Sequence, residues 1–596
     1  MTDYSAPLKE MQFVLRELAD LDAIAALPGH EDTGEELAYA VLEEAAKFAG
    51  GVLSPLNAVG DREGSRWNDG DVSTPTGWRD AYAQFTASGW NGLRAPVEFG
   101  GQGLPRVLST LVDEIWNSAN MSFALCPMLT RGAIEALEFC GSEQQKSLYL
   151  PRMVSGEWTG TMNLTEPQAG SDLAAVRTRA IPAEDGSYRL FGQKIFITYG
   201  EHDLAGNIVH LVLARTPDAP EGVKGISLFV CPKFLVGPDG ALGARNDVRC
   251  TSIEHKLGIH ASPTCVLQFG EGDGAHGWLL GKENRGLQYM FVMMNAARFS
   301  VGIEGIGLAE RTYQRARAYA AARVQGAEIG AGSRDKVAIL RHPDVRRMLL
   351  RMKSRTEALR AVAVTVAAAM DRADGHPDPG ERQRQQAFVD LMIPVVKGWS
   401  TESAVQIAAQ GIQVHGGMGF IEETGAAQHL RDAIITPIYE GTTGIQAADL
   451  VGRKVTGDDG QAAKAAITRM REVQQQLHAS DDAGLQAFGR QLQSGIDALE
   501  ESVSFILRSE DMRVSAAASV PFLELFGIVA GGWQMGRAGL AAARRLVAGD
   551  PDPAFLQAKL LSVRFYADHV LSSAPGLAHT VLQGANAVLA IEDEQF

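Results

Sequence analysis

Residues 162–172 read MNLTEPQAGSD, and this segment separates two parts of the chain that have different sequence patterns. Before it, stretches such as Glu36–Ala49 place apolar residues at i, i+3 and i+4, the spacing of an amphipathic helix. After it, Tyr188–Thr198, Ile208–Ala214 and Thr264–Phe269 are short and rich in β-branched and aromatic residues, which is typical of strands. The segment itself is either an ordinary turn or a place where small residues let the backbone approach a ligand.

The helical pattern returns at about Gly286. Long alanine-rich segments at Tyr289–Arg323, Asp344–Arg372 and Ala387–Gln410 predict a helical bundle. The polar stretch Gly457–Gly460 is typical of a linker, and helical patterns resume beyond it. We therefore predict an α+β multidomain fold with an N-terminal helical domain at 1–158, an antiparallel β-barrel at 159–282, a four-helix bundle at 283–456 and a C-terminal helical extension at 457–596.

Composition and charge narrow the classes of function. The 596 residues carry a formal net charge of -16, which disfavours nucleic-acid binding because that needs a concentrated basic surface. Five cysteines without a C-x-x-C pair indicate free thiols in a reducing compartment, and no metal is expected. The N-terminus shows no basic segment followed by an apolar one, so we expect a cytoplasmic protein. Polar residues in and around the apolar stretch Leu523–Val529 argue against a membrane span.

Two further segments suit either a ligand or an ordinary structural role. Lys194–Thr198, KIFIT, has an aromatic ring that can pack on a ring system, although a core strand has the same pattern. Gln413–Phe420, QVHGGMGF, carries three glycines whose backbone N–H groups suit phosphate, although loops that end helices look the same. His415 within it is more simply a hydrogen-bonded loop residue than a catalytic group.

The fourth segment, Ile438–Gln446, reads IYEGTTGIQ and places one carboxylate, Glu440, beside a glycine and two hydroxyl residues. A helix is predicted directly after it, at Gly444–Lys454. Taken alone, this pattern favours an acid that caps the helix, since carboxylates stabilise helix N-termini. A catalytic base is the alternative.

In this order and spacing, the four segments resemble the acyl-CoA dehydrogenase family. TEPQAGSD resembles the first family signature, QVHGGMGF with Arg431 and Asp432 the second, and YEGTTGIQ the loop that carries the catalytic glutamate. The match covers about residues 36–455. The extended N-terminus, the segment His255–Thr264 and the extra C-terminal helices are similar to a long-form subgroup that contains 3-(methylthio)propanoyl-CoA dehydrogenases. The resemblance implies an acyl-CoA dehydrogenase-like fold with FAD as the cofactor.

The resemblance also implies roles for individual residues, with Glu440 as the catalytic base. Positions that match FAD contacts are Met162, Leu164, Thr165, Gly170, Ser171, Phe196, Ile197, Thr198, Arg323, Gln413, Gly416, Gly417, Thr442 and Gly444. Four of these match contacts to the FAD of a neighbouring subunit: Arg323, Gln413, Gly416 and Gly417. Positions that match substrate contacts are Ser171, Arg298, Tyr439 and Gly441. A homo-oligomer is therefore expected, and the long-form subgroup implies a dimer rather than a tetramer.

Some positions depart from the family pattern. Gln428 stands where the second signature usually has Lys or Arg, Gly444 where many members have Gln, and Pro343 where Gln is common. Some relatives carry the catalytic glutamate on the long bundle helix instead. That position here is Ala297, which takes no proton, so the resemblance leaves Glu440 as the base.

The reaction implied is the α,β-dehydrogenation of an acyl-CoA thioester in fatty-acid β-oxidation. Glu440 removes the α-proton, and the β-hydrogen leaves as hydride to flavin N5. The expected substrate is 3-(methylthio)propanoyl-CoA or another short-to-long fatty acyl-CoA, and the expected electron acceptor is electron-transferring flavoprotein. Two alternatives stay open: an acyl-CoA oxidase that uses O₂, and a non-catalytic homologue that binds nucleic acid or a partner.

Overall fold

The computed structural model describes residues 4–330, 332 and 334–596, and the chain forms two compact units. The helical unit comprises residues 4–46, Pro105–Ser118 and Arg298–Phe596. The sheet unit comprises Lys47–Leu104 and Ala119–Ala297. Three of the four boundaries between the units fall inside helices, so the four parts predicted along the sequence do not correspond one to one with compact units.

The strands in chain order are β1 (Arg66–Asn68), β2 (Asp71–Ser73), β3 (Trp158–Asn163), β4 (Arg179–Pro182), β5 (Tyr188–Thr198), β6 (Asn207–Ala214), β7 (Ser227–Pro232), β8 (Phe234–Val236), β9 (Leu242–Arg245), β10 (Val248–Ile253), β11 (Thr264–Phe269), β12 (Ala275–Leu279), β13 (Val324–Ala327) and β14 (Lys336–Ala338). Eight of them form one sheet in the order β10-β11-β5-β12-β7-β6-β3, with β4 also paired to β5. Its core includes the buried side chains of Phe229, Leu267 and Phe269.

This sheet is mixed, whereas the sequence predicted an antiparallel one. β3 pairs with β6 in parallel, from Trp158 opposite Asn207 to Asn163 opposite Val212. Parallel neighbours need a long connection between them, and here β4 and β5 lie between β3 and β6 in the chain. The period-two pattern that identifies a strand is the same in both pairings, so the sequence did not reveal this exception.

The helices in chain order are α1 (Leu8–Glu17), α2 (Leu21–Ala25), α3 (Glu35–Phe48), α4 (Ser54–Glu63), α5 (Trp78–Ala87), α6 (Arg106–Cys140), α7 (Glu143–Val154), α8 (Gly286–Ala322), α9 (Pro343–Gly375), α10 (Pro379–His415), α11 (Ala426–Ala433), α12 (Thr443–Asp449), α13 (Gln461–His478), α14 (Ala483–Arg508), α15 (Met512–Val547), α16 (Pro553–His569), α17 (Ala574–Gln583) and α18 (Ala585–Ala590). α6 is interrupted at Asn120, where φ is -162° and ψ is 89°. The Asn120 side chain accepts the Phe123 N–H at 3.2 Å and caps the second segment.

Helices α8, α9 and α10 form the bundle of the helical unit, with small residues at their contacts. A Cβ atom on Gly302 would lie 2.7 Å from Val396 Cγ1, and one on Gly305 would lie 2.9 Å from the Ser400 carbonyl oxygen. Glycine at these two positions therefore lets α8 approach the backbone of α10 closely. This close approach brings the intervening residue, Glu304, near α10.

Helices α13–α18 form the C-terminal extension. Three aspartates accept backbone N–H groups and cap α14, α15 and α16, namely Asp482, Asp511 and Asp552. By length and composition α15 alone among the described residues suffices to cross a membrane, with a mean hydropathy of 1.7 over 18 residues. Most of that window (67%) is buried, including Phe522, Leu523 and Phe526. Packing within the helical unit accounts for this apolar face, as the sequence favoured.

Candidate active site

Glu440 lies in a tight turn that precedes α12. The backbone is left-handed at two consecutive residues, with φ of 54° at Glu440 and 89° at Gly441. A left-handed non-glycine residue costs roughly 1–2 kcal/mol, so other contacts must hold it in place. The Thr442 hydroxyl accepts the Ile445 N–H at 3.2 Å and caps α12. Thr442 is therefore the capping residue, and the interpretation of Glu440 as a capping acid is wrong.

We call residues 439–441 the base turn, and hydrogen bonds from two helices hold its backbone. Lys397 of α10 donates its ammonium to the Gly441 carbonyl at 2.7 Å. Gln446 of α12 donates its amide to the Glu440 carbonyl at 3.1 Å. Both side chains are fully buried. They balance the strain of the left-handed turn, because their loss would leave buried carbonyl groups without partners.

A third contact reaches the base turn from α8. The Tyr439 hydroxyl donates a hydrogen bond to the carboxyl group of Glu304. Glu304 is 1% exposed. The pKa of Glu304 is raised to about 8, chiefly by burial and also by the neighbouring Glu440 charge, against the lowering effects of the Tyr439 hydrogen bond and the Lys397 charge. Glu304 therefore carries a proton at neutral pH.

The carboxylate of Glu440 is partly buried and unpaired. Burial raises its pKa to about 7, against the opposing charges of Arg298 and Lys397. Within the described parts of the chain, no group donates a hydrogen bond to this carboxylate. An acid with these properties is half ionised near neutral pH and free to accept a proton from a ligand.

Arg298 faces inward from α8. Its guanidinium donates to Asp449 of α12 at 3.2 Å and is 6% exposed. Arg453 also donates to Asp449, at 2.5 Å. Arg298 thus contributes positive charge near Glu440, and its predicted contact with the substrate stays a prediction.

In the sheet unit, the two segments predicted to contact FAD lie side by side. The Ile195 N–H donates to the Thr165 carbonyl at 2.9 Å, which places the segment after β3 against β5. Phe196 has φ of 60° and is 58% exposed, whereas Ile197 is buried. A Cβ atom on Gly170 would meet nothing within 4 Å. An exposed aromatic ring on strained backbone, together with an open glycine in the paired segment, fits a planar group such as the flavin of FAD.

A buried ion pair fixes the same segment. Lys194 lies 2.8 Å from the Glu166 carboxylate and donates to the Leu164 carbonyl at 2.9 Å. Glu166 also accepts the N–H groups of Arg177 and Thr178, at 2.8 and 3.0 Å. Burial alone would raise the pKa of Glu166, but the Lys194 charge and these hydrogen bonds lower it to about 2. These contacts hold the segment after β3 against β5.

The other predicted positions fall into two sets. In the sheet unit, Met162, Leu164 and Thr198 are partly buried and Ser171 is exposed. In the helical unit, the exposed positions are Arg323, Gln413, Gly416, Gly417, Thr442 and Gly444. His415 is bonded through Nδ1 to the Gly411 carbonyl at 2.7 Å, which agrees with its structural interpretation.

The structure adds three residues that the sequence analysis missed: Glu304, Lys397 and Gln446. Glu304 stands between Ile303 and Gly305, and Lys397 follows Val396, so both charges interrupt apolar runs of long helices. An ionisable residue inside such a run indicates a buried polar contact. That signal was available in the sequence, but it does not reveal which loop the side chain meets.

The chain belongs to the acyl-CoA dehydrogenase family. It matches the acyl-CoA dehydrogenase N-terminal domain at residues 36–157, the middle domain at 161–271 and the C-terminal domain at 284–455. Residues 467–592 match a domain described as acetyl-CoA dehydrogenase C-terminal like. The predictions of family, enzyme class and fold are confirmed. No group of three or more His, Cys, Asp or Glu suited to a metal occurs in the described residues.

Relatives extend over almost the whole chain. The 3-methylmercaptopropionyl-CoA dehydrogenase of Ruegeria pomeroyi is 48% identical, covering 95% of this chain and 96% of that protein. A butyryl-CoA dehydrogenase of Syntrophomonas wolfei is 34% identical, covering 97% of this chain and 96% of that protein. The solved acyl-CoA dehydrogenase of Bacillus anthracis, complexed with FAD, has a TM-score of 0.73 at 20% identity, covering 97% and 94% of the two chains.

Proposed function

We propose that this protein is an FAD-dependent acyl-CoA dehydrogenase in which Glu440 removes the α-proton of the thioester. The observation that carries the proposal is a carboxylate with a pKa of about 7 that accepts no hydrogen bond from the described residues. A paired carboxylate would hold its charge too well to take a proton. Family membership and the fit of Phe196 and Gly170 to a planar group support FAD.

When the α-proton is removed, negative charge develops on the thioester carbonyl oxygen. The reaction therefore needs a hydrogen-bond donor to that oxygen as well as a base. Among the described residues, no acceptor takes the backbone N–H of Glu440. We assign this N–H to the thioester oxygen, where one such donor is worth about 3 kcal/mol. When bound, FAD supplies the acceptor for the β-hydride. The same residue then provides both the base and a donor, which explains why its backbone geometry is held so firmly.

We infer a short acyl-CoA as the substrate, in fatty-acid oxidation. The inference rests on the names of the two relatives, one acting on 3-methylmercaptopropionyl-CoA and one on butyryl-CoA. Electron-transferring flavoprotein is the proposed electron acceptor, and a cytoplasmic homodimer is the proposed assembly. Activity on a panel of acyl-CoA thioesters, measured with a dye acceptor, shows which chain length is preferred. Comparing the rate of flavin reoxidation by air with the rate by electron-transferring flavoprotein distinguishes a dehydrogenase from an oxidase.

Glu440→Gln tests the base directly. The variant keeps the shape of the side chain but accepts no proton, so the rate of flavin reduction should fall at least about 10³-fold while FAD and acyl-CoA still bind. Stopped-flow bleaching of the flavin measures the rate. Glu423→Gln, at an exposed carboxylate of the same unit, is the matched control and should react normally. Normal flavin reduction by Glu440→Gln would show that the base lies elsewhere.

A further inference from the structure

Two buried ionisable side chains beside the base turn have no role in the mechanism above. Glu304 lies on α8 and Lys397 on α10, with exposures of 1% and 0%. Each sits inside an apolar helical run, where burial of a charge is expensive unless a specific contact compensates it. Each makes such a contact, and both contacts go to the base turn.

We propose that Glu304 and Lys397 are positioning residues that hold the base turn from its two sides. Glu304 fixes the side chain that precedes Glu440, through Tyr439, and Lys397 fixes the carbonyl that follows it, at Gly441. The proposal rests on the proposed function, because it assigns work to the turn only if Glu440 is the base. It goes beyond that function in naming what keeps the base in its reactive position.

The geometry of the turn explains why two anchors are needed. Glu440 is a non-glycine residue with φ of 54°, and Gly441 follows with φ of 89°. Without restraint, Glu440 would relax toward the right-handed or extended region, which would turn both its carboxylate and its N–H away from the thioester. A displacement of about 1 Å at a reacting group can lower the rate about 10²-fold. Anchors on both sides of residue 440 prevent this relaxation.

The two anchors also differ in charge, so they have different effects on the pKa of Glu440. The ionisable groups that act on Glu440 are Arg298 and Glu304 of α8, Lys397 of α10 and Tyr439 of the turn itself. Three acids act on these groups in turn, namely Glu402 on Lys397, Asp449 on Arg298 and Asp432 on Tyr439. Burial lowers the pKa of Lys397 to about 8, so at neutral pH Lys397 is mainly a cation, which stabilises the ionised form of Glu440. Glu304, in its protonated form, anchors the turn without opposing that charge. Removing Lys397 should therefore raise the pKa of Glu440, and making Glu304 permanently neutral should leave it unchanged.

Matched substitutions separate anchoring from charge in the full-length holoenzyme. Glu304→Ala removes the acceptor and should slow flavin reduction by about 10- to 100-fold with acyl-CoA affinity within about threefold. Glu304→Gln keeps an acceptor for Tyr439 and should recover the rate to within about fivefold. Lys397→Met removes both the donor and the charge. It should slow flavin reduction similarly and move the lower limb of the kcat/KM profile upward in pH, whereas Glu304→Gln should leave that limb in place.

Tyr439→Phe provides a second route in case Glu304→Ala fails to fold. It removes only the hydroxyl, so it should slow flavin reduction about tenfold, and adding Glu304→Gln should slow it no further. The proposal would be overturned if Glu304→Ala or Tyr439→Phe reduced the flavin at the wild-type rate. It would also be overturned if Lys397→Met left the lower limb of the kcat/KM profile at the wild-type pH. Glu440→Gln measured in parallel distinguishes the two failures. If Glu440→Gln is inactive while the anchor variants are normal, only the proposed positioning role is wrong. If Glu440→Gln is active, the proposed base itself is wrong.

Discussion

Two carboxylates, one in each unit, lie near a buried lysine and behave oppositely. In the sheet unit, the Lys194 ammonium lies 2.8 Å from Glu166, and the pKa of Glu166 is lowered to about 2. In the helical unit, the Lys397 ammonium binds the Gly441 carbonyl instead, and burial raises the pKa of Glu440 to about 7. The two pKa values differ because the ammonium group of Lys194 pairs with the carboxylate, whereas that of Lys397 binds a backbone carbonyl.

Glu166 has the surroundings of a structural carboxylate, whereas Glu440 has those expected of a reactive one. Glu166 has its charge satisfied by a cation and several donors, so it holds a loop and takes up no proton near neutral pH. Glu440 keeps its charge without donors, so its ionised form is costly and ready to react. Strained backbone and a charged group without hydrogen-bond donors are typical of catalytic residues, because the rest of the fold keeps such residues in that conformation.

Neutralising the two carboxylates should affect stability very differently, and this is the largest effect we expect. Glu166→Gln leaves Lys194 buried and unpaired, so the free energy of unfolding should fall by about 3–5 kcal/mol. Glu440→Gln removes an unpaired charge and should leave stability at pH 8 unchanged or slightly higher. Thermal melting of the holoenzymes measures both. Equal destabilisation of the two variants would show that Glu440 is also a paired structural acid.

The pH dependence of kcat/KM should follow the Glu440 carboxyl. The base acts only when ionised, and its pKa is raised to about 7, so kcat/KM should rise about tenfold per pH unit below 7 and level off above it. Steady-state assays from pH 5 to pH 8.5 measure this profile. A limb near the ordinary glutamate value of 4.5 would mean that the carboxylate is paired in solution.

Two glycines, one in each unit, provide a smaller contrast. A Cβ atom on Gly441 would lie 2.7 Å from Gln446 Nε2 on backbone with φ of 89°. Gly441→Ala should therefore lower stability by about 1–3 kcal/mol and turnover by about tenfold. Gly170→Ala is the control for stability, because its added methyl group meets nothing within 4 Å. Comparable melting temperatures for the two variants would contradict the strain at the base turn.

The helix cap beside the base turn should contribute least. Thr442→Ala removes the acceptor for the Ile445 N–H and should lower stability by about 1 kcal/mol. Thr442→Ser keeps the oxygen and should behave as the wild type in thermal melting. If the serine variant is as destabilised as the alanine variant, the hydroxyl is not the group that matters.

The helical and strand segments were readable from the sequence because periodicity records which face is buried. Glu36–Ala49 and Tyr188–Thr198 correspond closely to α3 and β5. The parallel pairing of β3 with β6 was not readable, since alternation along a strand does not encode its neighbour. The segment IYEGTTGIQ drew attention to Glu440, but its pattern alone favoured a capping acid, and only the structure assigned the cap to Thr442.

By itself, the sequence determined the class of protein and the carboxylate to consider, because residue type and spacing along the chain carry that information. The tertiary structure alone decided what surrounds that carboxylate. Glu304 and Lys397 are 136 and 43 residues away from Glu440 in the numbering, and they meet its turn because of how α8 and α10 pack in the helical unit. The pKa of Glu440 depends on its burial and on where neighbouring charged groups lie, and both depend on contacts between segments that are distant in the sequence.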